Sequence, residues 1–409
     1  MLGMRDRAML KSVVLLVVAG FALSSSAERK ATLEKVTMQQ LERALAADHG
    51  KPDAEVAQQL LNMVLTERLS TALLAHFKAD LPGNKAQEAL VALADSSVLL
   101  DLPSADLPPD PPPDAANAHQ MLAQIVSYVN TTARQLPNLI ATRDTTSYED
   151  RPQEDIQGST GLTTLISLPL HVVGRSSTTV TYRDRQEVVD TGAAKAKNHG
   201  PQVHGLEVSG VFGPILSTVL GDALKGKITW GQWERDTAGA EAVFHYEVSK
   251  EKSNYMVRFC CVDSGIVDVY DSVFHELAAY HGEIAFDPAS GAILRLTMEA
   301  EMPPDEVVSA AGMLVEYGPV EIGGKTYICP LRSVSNLAAY TKAPPPGMHS
   351  AASYKGPYKT FLNDVAFGQY RRFGSEMRIL TGDSGDPNQP SGPTSADSPY
   401  AAPSRAPTR

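Results

Sequence analysis

Hydrophobic residues recur every three to four positions between residues 36 and 100, which predicts a small module of three or four short helices. Thr37 and Gln40 have the spacing of a capping box before the first helical pattern. Asp53 and Thr66 precede the next two patterns, and we expect them to cap those helices. The module has no convincing internal copy that would make it a helical repeat.

Beyond this module the pattern changes twice. Six prolines stand within residues 101 to 113, which predicts a stiff, extended linker. Asp114 then opens a longer amphipathic helix. From Asn138 the apolar period falls from about four residues to two, which is typical of strands, with a short helix near Pro214 and a hairpin turn at Gly323-Gly324. This order predicts an α+β fold, in which a helical module precedes a strongly curved antiparallel β-sheet, a half-barrel, with a long helix packed against it.

One predicted hairpin combines an apolar face with chemically active residue types. The segment YHGEIAFDPASGAILRL, residues 280 to 296, alternates on both sides of Asp287-Pro288-Ala289-Ser290-Gly291. This central stretch has turn chemistry, because aspartate starts turns, proline fixes φ and glycine adopts left-handed conformations. The apolar face is the candidate lining of a ligand cavity, although the same residues can be plain core: Ile284, Phe286, Leu294, Leu296 and Met298.

The polar residues of this hairpin also resemble parts of a hydrolase. His281, Glu283, Ser290 and Arg295 lie within seventeen positions of one another. The alternation predicts instead that they form the charged outer face and the turn, where no oxyanion donor is suggested near Ser290. We therefore predict that the protein is not an enzyme, with a hydrolase as the less favoured alternative.

No pattern predicts a metal or another cofactor. His275-Glu276 and His281 resemble a zinc-protease helix only superficially, because the two histidines are six positions apart rather than four. There is no phosphate-binding glycine-rich loop with a lysine and no G-x-S-x-G sequence. Trp230 and Trp233 are further candidates for a ligand cavity, or else for packing in the core or at its rim.

The composition limits the kinds of partner that the protein can bind and indicates whether a disulfide can form. The formal net charge of −11 argues against nucleic-acid binding, which requires a basic surface. Three cysteines are present, and in an oxidising compartment one disulfide can form. Because bonding the neighbours Cys260 and Cys261 to each other would strain the peptide, a bridge from one of them to Cys329 is the easier pairing.

The first residues have the pattern of a targeting segment. A basic stretch with Arg5, Arg7 and Lys11 precedes an apolar run of about a dozen residues and a small-residue site at Ala27. This predicts a cleaved signal peptide and export to the periplasm or the extracellular space, with an uncleaved anchor as the alternative. No later apolar run is long enough to span a bilayer. The predicted organisation is a signal peptide (1–27), a helical module (28–100), a proline-rich linker (101–113), a helix with an antiparallel half-barrel (114–380) and a disordered tail (381–409).

Three stretches carry a resemblance to known families. YHGEIAFDPASGAILRLTMEAEMPP and VEYGPVEIGGKTYICPLRSVS resemble the C-terminal strands of an uncharacterised family of exported bacterial proteins. QLPNLIATRDTTSYED is similar to that family's first strand after its long helix. The resemblance covers most of residues 36 to 380, and it implies no particular activity.

More remotely, the helix followed by a meander resembles the outer-membrane lipoprotein-sorting superfamily, which includes LolA-, LolB- and RseB-like proteins. IAFDPASGAILRL takes the place of a late hairpin. This resemblance implies a half-open barrel, closed by a helix, that holds acyl chains in an apolar cavity. The chain departs from those carriers in its helical module, its proline-rich linker, its tail and the absence of a cysteine at the predicted mature N-terminus that lipid could modify.

Two non-enzymatic functions are consistent with these features. The first is an exported binding protein that holds a lipid or a lipoprotein acyl chain in an apolar cavity, mainly through burial of apolar surface. The alternative is a cell-envelope interaction or sensor protein whose partner binds the helical module. The ligand and the oligomeric state stay open at this point.

Overall fold

A computed structural model describes residues 33–157, 163–189, 205–206, 208–236, 239–262, 272–303, 306–339 and 358–373. The predicted signal peptide (1–27) and the predicted disordered tail (381–409) lie outside these described residues. Within the described ranges, the chain forms six α-helices and fifteen strands. The prediction of an α+β fold is confirmed by these helices and by a large antiparallel sheet.

The helical module contains four helices, in line with the predicted three or four, and one small parallel strand pair. The module has its own apolar core, in which Leu41, Leu60 and Leu90 are fully buried. Its elements are β1 (Glu34–Val36), α1 (Met38–Ala47), α2 (Asp53–Leu61), β2 (Met63–Leu65), α3 (Thr71–Asp80) and α4 (Asn84–Ser96), with β1 paired to β2.

Local signals set some of these helix ends but not all. The predicted capping box at the start of α1 is confirmed, because Thr37 accepts a hydrogen bond from the Gln40 backbone and the Gln40 side chain accepts one from the Thr37 backbone. The prediction for Asp53 is wrong: its carboxylate accepts from the backbone N–H groups of Lys85 and Ala86 and so caps α4. Helix α4 begins after Gly83, whose lack of a side chain leaves this role to a neighbouring helix.

The prediction that Thr66 caps the third helix is also wrong. That helix begins at Thr71, with Ser70 as its cap. The side chain of Ser70 accepts a hydrogen bond from the Leu73 backbone. Residues 63 to 65 form a strand instead of helix, because they pair with residues 34 to 36, which are distant in sequence.

The second part of the chain is two helices and thirteen strands in the described residues. Helix α5 (Ala115–Asn130) is capped by Asp114 as predicted, and α6 (Pro214–Ala223) follows Gly213. The strands are β3 (Leu139–Gln157), β4 (Thr163–Arg183), β5 (Gln186–Val189), β6 (Gly205–Leu206), β7 (Lys227–Asp236), β8 (Gly239–Val248), β9 (Met256–Val262), β10 (Ser272–Leu277), β11 (Ala279–Phe286), β12 (Ile293–Glu301), β13 (Val308–Ile322), β14 (Lys325–Ala339) and β15 (Lys359–Arg372).

Ten of these strands form one antiparallel sheet. Their order is β5-β4-β3-β15-β14-β13-β12-β11-β8-β7, so β7 and β5 are its edges. The predicted turn at Gly323-Gly324 joins β13 to β14, and both glycines have the positive φ that a two-residue hairpin turn of this kind requires. A smaller sheet has the order β10-β9-β6.

The two faces of the large sheet are covered by different parts of the chain. One face packs on α5 and α6, with Ile125 of α5, Val219 of α6 and Leu296 of β12 in one core cluster. The opposite face meets the helical module, where Ala92 of α4 packs in a cluster with Leu362 of β15. The sheet therefore lies between two helical layers, although the module was predicted as a separate unit on a linker.

Candidate functional site

The predicted apolar face of the hairpin lies in the core of the protein. Ile284, Phe286, Leu296 and Met298 are buried within the cluster that packs on α5 and α6. Leu294 differs, because it is the extra residue of a β-bulge opposite Ala285 and Phe286, and it is only partly buried. Ile293 takes the core position that the regular alternation gives to Leu294.

The turn of this hairpin forms as predicted, and hydrogen bonds within the turn satisfy the hydroxyl of Ser290. Ser290 donates a hydrogen bond of 2.6 Å to Asp287, and its hydroxyl accepts one of 3.2 Å from the backbone of Ala292. Gly291 has a positive φ of 73°. His281 pairs across the strands with Glu299, about 17 Å along β11 from the turn at the strand spacing of about 3.3 Å per residue. The fold therefore separates Ser290 from His281.

Part of the polar face of the hairpin is buried, whereas its charged residues predict a solvated surface. Arg295 is 8% exposed and Thr297 is 5% exposed, because the helical module covers them. Arg68, which precedes α3 in the module, reaches the sheet and brings two glutamates and a second arginine together. We call Arg68, Glu234, Glu283 and Arg295 the ionic cluster.

In the ionic cluster, each arginine contacts both glutamates. One Arg68 nitrogen donates to both oxygens of Glu234 at 2.8 Å, and the other nitrogen donates to Glu283 at 3.3 Å. Arg295 donates to Glu283 at 3.0 Å and to Glu234 at 3.2 Å. Burial raises the pKa of Glu234, but Arg295, Arg68 and a hydrogen bond from Gln232 together hold that pKa below its ordinary value. Burial and the nearby Arg68 charge lower the pKa of Arg295.

A second charged contact holds the module over the middle of the sheet. Asp95 of α4 is fully buried and accepts a hydrogen bond from Arg332 of β14, which also donates to Asp364 of β15 at 2.8 Å. Burial raises the pKa of Asp95 to about 8, although the charge of Arg332 opposes this shift. Module and sheet are therefore joined by hydrogen bonds between ionisable side chains at two separate points.

An apolar groove opens beside these contacts, between the module and strand β4. We call it the junction groove. Its volume is about 320 Å³, and a neighbouring recess of about 270 Å³ shares part of its lining, so the two form one continuous surface. Asn62, Ser96, Asp150 and Thr360 are the polar members of the lining. The apolar lining comprises Leu33, Leu60, Leu61, Met63, Val64, Ala89, Ala92, Leu93, Leu168, Pro169 and Leu170.

A second cleft, of about 450 Å³, is strongly acidic. It lies where the module ends, over β8, β11 and β12. His281 is 3.7 Å from Glu299 and also 3.7 Å from Glu301, while His245 is 3.7 Å from Glu283. Among the residues that the structure describes, no group of three or more such side chains is arranged to hold a metal ion.

The remaining predicted residues take structural positions. Trp230 and Trp233 of β7 contact each other edge to face at 4.9 Å between ring centroids, and both pack against the core. The predicted disulfide to Cys329 is not formed, because Cys329 is free and fully buried in the core beneath α5. Burial raises the pKa of its thiol to about 12. The side chains of Cys260 and Cys261 lie outside the described residues.

Sequence reasoning missed both the ionic cluster and the junction groove. A usable signal for the groove was Leu168-Pro169-Leu170, because a proline inside a strand pattern is typical of irregular or edge positions where apolar side chains are not fully paired. No comparable signal marks Arg68, whose partner Glu283 is 215 positions away.

Comparison with known proteins identifies no relative of this chain. No family model matches the chain, and no curated protein or solved structure matches it either. Among the helices within the described ranges, none combines the length and the apolar composition that crossing a bilayer requires. The junction groove, bordered by the module and β4, is the candidate site for a ligand because its lining is mostly apolar and partly exposed.

Proposed function

We propose that this chain is a non-enzymatic binding protein that holds one apolar chain, such as a lipid acyl chain, in the junction groove. The observation that carries this proposal is the exposure of leucines in that groove. Leu33 and Leu168 are 49% and 41% exposed, and Leu61 and Leu170 are only partly buried. A contiguous apolar patch of this kind is typical of a binding surface, because covering it with a ligand is favourable by about 25 cal/mol per Å².

The proposal differs from the sequence-based hypothesis in its location. The hairpin residues, Phe286 and Leu296 among them, contribute to a packed core under α5. The groove lies on the other side of the sheet, next to the module. The ligand would therefore contact both the module and the sheet. Its volume of about 320 Å³ is near the lower limit of ligand pockets, which favours a single acyl chain over a two-chain lipid.

We infer in addition that the large sheet is a half-barrel that curves around α5 and α6. A flat sheet would separate β4 from β8, seven strands further along, by roughly 34 Å. Helix α6 has ten residues, about 15 Å, yet Phe212 just before it stacks on Tyr182 of β4 while the helix also contacts β8. Curvature of the sheet accounts for both contacts.

We place this binding outside the cytoplasm, in the periplasm or the extracellular space, on the strength of the targeting pattern in residues 1 to 27. In such an aqueous compartment an acyl chain needs a protein surface that removes it from water. Each methylene buried in the groove contributes about 0.8 kcal/mol, so affinity should rise with chain length until the groove is full.

The test is a titration of the purified protein with 11-(dansylamino)undecanoic acid, a fatty acid whose fluorescence increases in an apolar site. We expect saturable binding that palmitate displaces and that the variant Leu168→Glu weakens at least tenfold. Leu331→Glu is the matched control, because Leu331 is also 41% exposed but lies outside the groove lining. We expect its affinity to equal that of the wild type.

Two outcomes would refute the proposal. One is a wild-type protein that does not bind the probe at all. The other is equal loss of affinity in Leu168→Glu and Leu331→Glu, which would show that the probe binds exposed leucines without preference for the groove.

A further inference from the structure

The proline-rich segment follows a defined route around the edge of the large sheet. At its start, the carbonyl of Asp101 accepts a hydrogen bond of 2.8 Å from the backbone of Arg68, on the module side. Near its end, the carbonyl of Pro111 accepts a hydrogen bond of 2.9 Å from the indole N–H of Trp233. Trp233 belongs to the edge strand β7, and its side chain packs with the core on the α5 side. Residues 101 to 113, which we call the proline strap, therefore pass around β7 from one face to the other.

The contact at Trp233 has the chemistry of polyproline recognition. Residues 108 to 113 contain five prolines and form neither helix nor strand. Prolines fix φ near −65° and bias preceding residues to extended conformations, so such a run favours the polyproline II helix. Polyproline II makes no internal hydrogen bonds, which leaves its carbonyl oxygens free to accept from a donor-only indole.

The aromatic surface that includes Trp233 is larger than one side chain. Trp230 contacts Trp233 at 4.9 Å and Phe244 at 5.7 Å, both in edge-to-face geometry. The two tryptophans are only partly buried, and Pro111, whose carbonyl accepts the hydrogen bond from Trp233, is exposed. A proline-rich ligand could therefore reach this surface from solvent once the strap moved away.

We propose that Trp230 and Trp233 form a polyproline-binding surface, which residues 108 to 113 occupy in the same chain and which a proline-rich segment of another protein binds by displacing them. This interaction surface is independent of the junction groove. The resident strap acts as a competitor at an effective concentration of about millimolar, as expected for a ligand tethered by a short linker. An external segment binds to a measurable extent only when its own affinity or concentration overcomes that competition.

The chain offers a direct probe of this surface, because Trp230 and Trp233 are its only tryptophans. In the test, the five prolines of residues 108 to 113 are replaced by serine in the full chain. We expect the tryptophan emission of this strap variant to shift to longer wavelength. An added peptide of sequence LPPDPPPD should reverse the shift with a dissociation constant below about 1 mM, whereas the same peptide with serine for proline should not. Unchanged emission, or no response to the proline peptide, would overturn the proposal.

A second variant keeps the proposal testable if the strap variant folds poorly. Trp233→Phe retains one aromatic ring but removes the five-membered ring of the indole, and with it the N–H that donates to the Pro111 carbonyl. We expect it to loosen the strap, measured in the full chain as at least threefold faster cleavage by endoproteinase Asp-N before Asp106. Lys227→Met is the matched control, because Lys227 lies on the same strand β7, pairs with Glu247 and belongs neither to the aromatic surface nor to the strap. Its cleavage rate should equal that of the wild type. Equal rates in all three proteins would contradict a role of Trp233 in holding the strap.

Discussion

The ionic cluster makes the strongest prediction about how the two halves of the protein are held together. Replacing Arg68 by methionine removes a guanidinium whose side chain is 6% exposed and which pairs with Glu234 and Glu283. The cluster of two arginines and two glutamates is neutral before the change. After it, two carboxylates share Arg295 alone, in a region that the module covers.

The expected loss in free energy of unfolding is about 3 to 5 kcal/mol, the usual cost of leaving one charge of a buried ion pair without its partner. An exposed ion pair provides the comparison, because removing it should cost much less free energy of unfolding. Lys227 and Glu247 are 2.9 Å apart, but both side chains are 61% exposed, so water already solvates them. We expect Lys227→Met to cost less than about 1 kcal/mol.

Urea unfolding followed by tryptophan fluorescence measures both losses, since Trp233 precedes Glu234 in β7. The informative variant is the double substitution Arg68→Met with Glu234→Met. It restores neutrality, because Arg295 and Glu283 remain as one pair 3.0 Å apart. We therefore expect the double variant to be more stable than Arg68→Met alone. A double variant that is no more stable than Arg68→Met would refute the reasoning.

Two other predictions concern a buried carboxyl and two glycines. The pKa of Asp95 rises from an ordinary 3.8 to about 8 in the folded state, so the folded protein keeps a proton that the unfolded chain has released. Stability should accordingly fall as pH rises from about 4 to about 8, and Asp95→Asn should flatten this dependence in urea titrations at several pH values; an unchanged slope would contradict it. Gly282→Ala should destabilise β11 by several kcal/mol, because a Cβ there would lie 2.1 Å from the Thr297 carbonyl oxygen. Gly174→Ala, with open space around it, should change stability by less than about 1 kcal/mol, and equal effects of the two substitutions would refute this explanation.

The elements of the fold could be predicted where a local pattern is sufficient to form them. The helices at 38–47 and 115–130, the hairpin around Gly291 and the turn at Gly323-Gly324 follow from periodicity, capping and turn residues within a few positions. Asp53 illustrates the limit of such patterns, because aspartate is a good capping residue and it does cap a helix, but not the helix that it precedes. Its carboxylate caps a helix 32 positions further on, which only the packing of α2 on α4 determines.

The candidate site could not be predicted from local patterns either, because it also depends on contacts between residues that are distant in sequence. Alternation in β12 correctly separates Leu296 from Arg295, but it cannot say what covers the charged side. The structure covers it with a module that precedes it by more than 200 positions, and a bulge at Leu294 shifts one residue out of the predicted face. The junction groove likewise joins leucines near residues 33, 60, 93 and 168, which no local window contains.

The sequence by itself therefore determined the types of most helices and strands and some of their ends, since these depend on side-chain period and on residues that start or stop them. It also determined that Ser290 belongs to a turn, because the turn residues satisfy its hydroxyl locally. Tertiary structure alone decided that Arg68 neutralises Glu234 and Glu283 and that an apolar groove stays open beside β4. Both outcomes depend on which distant surfaces meet, and that is set by the summed burial and charge pairing of the whole chain.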